Sequence, residues 1–225
     1  MPRDAFEQEM LRLQNEMLTM AETVESALSD SVESLKQRDL DWSKRLIDQD
    51  RLINQKRFSI EAECLIVVAT QQPMATDLRI IAAILFNVNE LERIGDYAKG
   101  IAKINLMIGP GPLLKPLIDV PRMAEKARSM LHRAVKAFIA RDVAAARQIP
   151  AEDDEVDALF EQVNRELLTY IMADPRIISQ ANLLLWVAHN LERAADRVTN
   201  LCERTVFAVT GELFEFDTDS VQELE

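Results

Sequence analysis

The chain has 225 residues, of which 48% are hydrophobic and 28% charged, with only 5 glycines and 8 prolines. That excludes low-complexity disorder and collagen-like sequence, and it allows one or two domains that each bury a core. Lys and Arg number 26 against 38 Asp and Glu, a net charge of −12, so nucleic acid and anionic membrane surfaces, which need clustered cations, are excluded as general partners.

The opening residues, MPRDAFEQEM, carry acids and no apolar run, unlike a signal peptide. Three helical segments follow, at roughly 4–36, 40–71 and 75–108. Short breaks separate them: Arg38-Asp39, then Gln71-Gln72-Pro73. The third segment carries a heptad-like apolar stripe of Ile84, Val88, Leu91, Gly95, Ala98 and Ala102, the spacing of one buried helix face. The longest purely apolar run, Ile80–Phe86, is far too short to span a bilayer. A soluble, cytoplasmic protein without membrane insertion is therefore expected. Cys64 and Cys202 are too few for a disulfide scaffold and read as buried, reduced thiols.

Residues 109–121, GPGPLLKPLIDVP, hold two glycines and four prolines. No helix is expected to run through that stretch, because proline lacks the N–H and clashes with the preceding turn. It divides the chain into halves of 1–108 and 122–210.

The halves read as copies. At an offset of 103, residues 20–40 fall on 123–143 with eight identities in 21 positions, among them Met20/Met123, Arg38/Arg141 and Asp39/Asp142. The register holds through Asp50/Asp153 and Leu65/Leu168; then the offset becomes 100, and LERIGD (91–96) falls on LERAAD (191–196). A fixed offset of this kind is the mark of a duplicated unit. The second copy predicts helices at roughly 120–140, 142–173 and 177–210, with Pro150 delaying or kinking the middle one. Its stripe is Leu184, Ala188, Leu191, Ala195, Val198 and Cys202. The fold class is all-α: two tandem, sequence-related three-helix bundles with antiparallel neighbours. Residues 211–225 contain six acids and no base and read as a frayed acidic tail, in which Leu213, Phe214 and Phe216 could dock.

The repeat also selects the chemistry. Glu92 and Asp96 are i, i+4 on one helix face beside the core stripe, and Glu192 and Asp196 repeat the pair. Asp50 and Asn54 on the preceding helix match Asp153 and Asp157. In an antiparallel bundle these pairs converge, and clustered carboxylates call for protons or cations. Oxygen ligands suit Mg, Ca, Mn or iron. A solvated acidic face, neutralised by Arg93 and Arg193, is the competing reading. His189, on the face of Glu192, could join as a ligand for softer metals but reads more simply as a surface or hydrogen-bonded histidine; His132 is expected to be exposed. Trp42 and Trp186 are expected in the core or an interface. Glu-x-x-His, HExxH, a Gly-rich phosphate loop and GxSxG are all missing, which disfavours an enzyme. A metal-binding bundle with oxidative or hydrolytic activity at the paired acidic motifs is the alternative. No basic pocket is visible for tight phosphate binding.

The segment ATQQPMATDLR (69–79) closing on ELERIGD (90–96), echoed by ADPRI (173–177) with NLERAAD (190–196), resembles the PhoU family of phosphate-uptake regulators, over roughly residues 4–210. The resemblance implies a non-enzymatic cytoplasmic adaptor, often a homodimer. It would link the ATPase of the phosphate ABC transporter to a phosphate-responsive sensor histidine kinase and repress the starvation response when phosphate is plentiful. Some members carry multinuclear metal clusters at the paired acidic motifs. By position, that implies divalent or iron cations at Asp50, Asn54, Glu92 and Asp96 in one copy and at Asp153, Asp157, Glu192 and Asp196 in the other. Asn54 departs from the acidic pattern, so the second site is expected to be the tighter.

Overall fold

A computed structural model describes residues 2–213 together with 215 and 216. Its helices are α1 (Pro2–Gln37), α2 (Leu40–Gln71), α3 (Thr76–Ile108), α4 (Asp119–Ala140), α5 (Val143–Gln148), α6 (Asp153–Ala173) and α7 (Ile178–Thr210). No strand occurs among the described residues, and none of their helices is long and apolar enough to cross a membrane.

The repeated Arg-Asp dipeptide builds the same corner in each copy. Arg38 and Arg141 take left-handed φ values of 59° and 57°. The next amide closes back onto the helix, Asp39 N–H to Ser34 O at 2.9 Å and Asp142 N–H to Ala137 O at 2.8 Å, which satisfies the last carbonyls of the helix. The Asp side chain then caps the following helix: Asp39 accepts from the Trp42 N–H at 2.8 Å and Asp142 from the Ala145 N–H at 3.0 Å. One residue ends a helix and its neighbour starts the next.

The middle element of the second copy is broken as the proline predicts. Ile149–Glu152 forms a 3₁₀ turn between α5 and α6. The linker is shorter than the sequence suggests, because α4 already begins at Asp119. Pro121 sits in its first turn, where the amide lost to the ring has no helical partner in any case.

All twelve stripe positions are buried. The two three-helix units do not stand apart as beads. Their most extensive pairing is between α3 and α7, with α1 also against α4, and a single apolar core runs through both. The helices α3 and α7 cross antiparallel in a symmetric register. Gly100 lies against Asn190, and the Asn200 amide donates to Glu90 Oε2 at 3.0 Å. Adding or subtracting 100 converts one contact into the other, so a pseudo-twofold relates the copies. Both thiols are free and buried, and burial pushes Cys64 and Cys202 up to about 12.

The tail is not wholly frayed. Phe216 is partly buried against the core, and its N–H donates to Glu203 Oε1 at 2.9 Å. Leu213 is exposed; Phe214 and residues 217–225 lie outside the described residues.

Candidate functional site

Each copy brings its four motif residues to the seam between its second and third long helices. In the first copy, Asp50 and Asn54 lie on α2 and Glu92 and Asp96 on α3. Asp50 is only 5% exposed. Its Oδ2 receives the Lys99 ammonium at 2.6 Å and the Asn54 amide at 3.3 Å. Lys99 also donates to Asp96 Oδ1 at 3.2 Å, so one ammonium joins α2 to α3. The hydrogen bond from Lys99 to Asp50 holds the ammonium pKa above its ordinary value. Glu92 is pushed up by burial first and by Asp96 next, while Arg57 opposes. A cavity of ≈ 100 Å³ opens beside the site, lined in part by Thr23, Asp30, Asp50 and Lys99.

The second copy holds the same arrangement without the ammonium. Position 99 corresponds to Thr199, whose hydroxyl turns back onto Asp196 O at 2.7 Å. Asp153, 3% exposed, is pushed up to about 7, by burial first and then by Asp196, Asp157 and Glu192. Glu192 is also pushed up to about 7, by burial and by Asp196. Mutual repulsion among carboxylates that have lost water is the physical cause. The Oδ1 of Asp153 and the Oε2 of Glu192 are buried without a hydrogen bond, and so is the Oδ1 of Asp50 in the first copy.

Of the cations around the second cluster, Arg193 pairs with one of its own members, while Arg133 and Lys126 hold acids outside the four. Arg193 pairs with Asp196 at 2.8 Å. Arg133 holds Glu152 through two hydrogen bonds of 2.6 and 2.7 Å, and Lys126 holds Glu155 at 2.6 Å. His189 Nδ1 is 3.3 Å from Glu192 Oε2, without hydrogen-bond geometry, and burial lowers its pKa. Its ring meets Trp186 edge-on at 5.4 Å. Trp186 itself is 59% exposed, so of the two places expected for it, core or interface, it does not occupy the core. His132 is not free either: Nδ1 lies 3.3 Å from a Glu25 carboxylate oxygen on α1, across the junction of the copies.

The eight predicted residues thus form two clusters. Among the described residues, no three His, Cys, Asp or Glu side chains are already arranged as a metal cage. The donor chemistry of the second cluster fits a hard cation: it is all oxygen, buried at Asp153, with two acceptors lacking partners. The first fits less well, because the Lys99 ammonium already sits on its buried carboxylate, Asp50. Lys99 was not among the residues singled out from the sequence; its mismatch with Thr199 at the offset of 100 was the available signal.

Comparison with known proteins bears on both copies. The PhoU domain matches residues 17–104 and 120–205. A phosphate-specific transport system accessory protein PhoU homolog of Deinococcus radiodurans is 37% identical over 209 residues, covering 93% of this chain and 98% of the relative. The phosphate-specific transport system accessory protein PhoU of Escherichia coli is 34% identical over 209 residues, covering 93% and 87%. The crystal structure of the phosphate transport system regulatory protein PhoU from Streptococcus pneumoniae superposes with a TM-score of 0.87 at 29% identity, covering 94% of this chain and 100% of that one. PhoU from Pseudomonas aeruginosa gives 0.86 at 32% identity, covering 92% and 100%.

Proposed function

The chain belongs to the PhoU family, and on that footing we propose that it is a regulatory accessory protein of a phosphate transport system. The observation that carries this reading is the match in both repeats to relatives so named, over nearly their whole length. In the finer reading the protein is a cytoplasmic adaptor that acts as a homodimer. It contacts the ATPase of the phosphate ABC transporter and a sensor histidine kinase, and it holds the starvation response off when phosphate is plentiful. Its long helices suit such a role, since contact surfaces of this length do not require a catalytic pocket. The exposed side of α2 carries Phe58, Leu65 and Ile66, each more than half exposed, and apolar residues grouped in this way favour protein contacts.

The second cluster supports a cation-tuned version of that role. Asp153, Asp157, Glu192 and Asp196 would hold the ion, and the ion would supply positive charge between α6 and α7. An adaptor whose helix seam tightens on cation binding has two states that a partner can distinguish.

An affinity pull-down of the full chain from phosphate-replete and phosphate-starved cells, with partners identified by mass spectrometry, tests the adaptor role. Recovery of the transporter ATPase or of a membrane sensor kinase, enriched from replete cells, is expected. Recovery of neither under either condition would overturn it.

A further inference from the structure

We propose that Lys99 is a built-in counter-cation that takes the place of a metal ion in the first repeat, so that the two halves of the chain respond unequally to cations. The inference deepens the cation reading of the second repeat and rests on it for the contrast between halves.

The geometry is that of a bridging ion. The Lys99 ammonium stands between Asp50 of α2 and Asp96 of α3, at 2.6 and 3.2 Å. Those are the carboxylates that a cation at this seam would have to join. Asp50 is almost wholly buried, and a buried carboxylate needs a positive partner or a proton. Lys99 provides that partner from within the chain, at every ambient metal concentration. Thr199 provides none, and its hydroxyl is spent on the backbone of its own helix. Asp50 and Asp153 each keep a buried Oδ1 without a hydrogen bond, and the difference between them is the ammonium on Asp50 Oδ2.

Charge counting leads to the same contrast. Relative to the second cluster, the first exchanges Asp157 for Asn54 and Thr199 for Lys99. Each exchange adds one positive unit, and together they equal the charge of one divalent ion. The other charged neighbours of the first cluster are Asp30 on the cavity rim and Arg57 and Arg93 beside Glu92; those of the second are Asp154 beside Asp153, Arg193 beside Glu192 and Arg197 beside Asp196. Duplication followed by these two exchanges would leave one half locked and the other half open to an ion.

The test is Mn²⁺ uptake by the chelator-stripped full chain, read by equilibrium dialysis and elemental analysis, with helix content checked by circular dichroism. Wild-type uptake is expected to vanish in Asp153→Asn and to be unchanged in Asp50→Asn. Lys99→Thr, which copies the second repeat, should add a binding event that a further Asp50→Asn removes; Lys99→Arg, which keeps the charge, should add none. Loss of wild-type uptake in Asp50→Asn would overturn the proposal, and that arm does not depend on Lys99→Thr folding. A folded Lys99→Thr chain with no added uptake would overturn it as well. If wild type takes up no Mn²⁺ while Lys99→Thr takes up Mn²⁺ through Asp50, the cation reading of the second repeat fails and the role of Lys99 stands.

Discussion

Gly100 and Asn190 touch across the junction of the two repeats, where a Cβ added to the glycine would lie 3.0 Å from the Asn190 amide nitrogen. The mirrored position places Asn200 on Glu90 instead, with a hydrogen bond filling the space. The junction is thus matched in register but not in volume. An alanine at 100 meets only the end of a movable side chain, and better helix propensity offsets the contact. A leucine reaches further into the Asn190 side chain than that end can yield. Gly100→Leu should therefore lower stability by roughly 1–3 kcal/mol, with Gly100→Ala close to neutral. Urea midpoints at constant m would check both.

The two left-handed corner arginines should respond in opposite ways to glycine. At Arg141, which is exposed, no hydrogen bond from the guanidinium is found among the described residues. Glycine there relieves the backbone at φ 57°, and Arg141→Gly should stabilise by about 0.5–1 kcal/mol. At Arg38 the guanidinium donates to Asn105 Oδ1, to Gly109 O, and to Gly111 O at 3.2 Å. Asn105 in turn donates to Ser43 Oγ at 2.8 Å and to Ser34 O at 3.0 Å. That network ties the linker to the closed end of the first bundle. Arg38→Gly should cost about 1–3 kcal/mol despite the same backbone relief, and thermal unfolding of the two variants side by side separates the effects.

This pair shows what a sequence discloses. The shared Arg-Asp corner was legible because its capping is local chemistry, carried by the residue types themselves. The stripes on α3 and α7 were legible for the same reason, since helical period alone identifies a buried face. Periodicity does not say what covers that face, so the fusion of the repeats along α3 and α7 was not visible. The four-residue clusters were legible through duplication. Lys99 was not, because an Asp and a Lys three apart on a helix read as an ordinary surface pair; only the packing of α2 onto α3 places Asp50 under the same ammonium. The apolar ring of Phe216 marked it as able to dock within an acidic tail, but its acceptor, the buried Glu203 of α7, was not legible because it depends on how the chain returns past its last helix.

Asn87 is fully buried, and neither atom of its amide finds a hydrogen-bond partner. Its counterpart in the second copy is Val187, also fully buried. An unpaired buried amide costs more than the packing it contributes. Asn87→Val should raise stability by about 1–2 kcal/mol. A fall in the melting temperature instead would mean that bound water or a partner chain satisfies the amide.

The carboxyl of Asp153 makes stability depend on pH, with a sign opposite to that of a salt-bridged acid. Burial and the nearby Asp196, Asp157, Glu192 and Asp154 raise it from an ordinary 3.8 to about 7. The charged neighbours that could offset this are engaged with other acids, Arg193 with Asp196, and Arg133 and Lys126 with Glu152 and Glu155, while His189 faces Glu192. Between those two pH values the folded chain keeps a proton that the unfolded chain has released. Stability therefore falls as pH rises through that window and levels off above it. With chelator present, Asp153→Asn should be more stable than wild type by on the order of 1–2 kcal/mol at pH 8 and nearly equal to it at pH 4. Adding Mn²⁺ at pH 8 should restore wild type and leave the variant unmoved, because an ion that replaces the lost proton binds only where the carboxylate survives. Melting curves that coincide at both pH values, with and without the ion, would show that Asp153 is already neutralised within the chain.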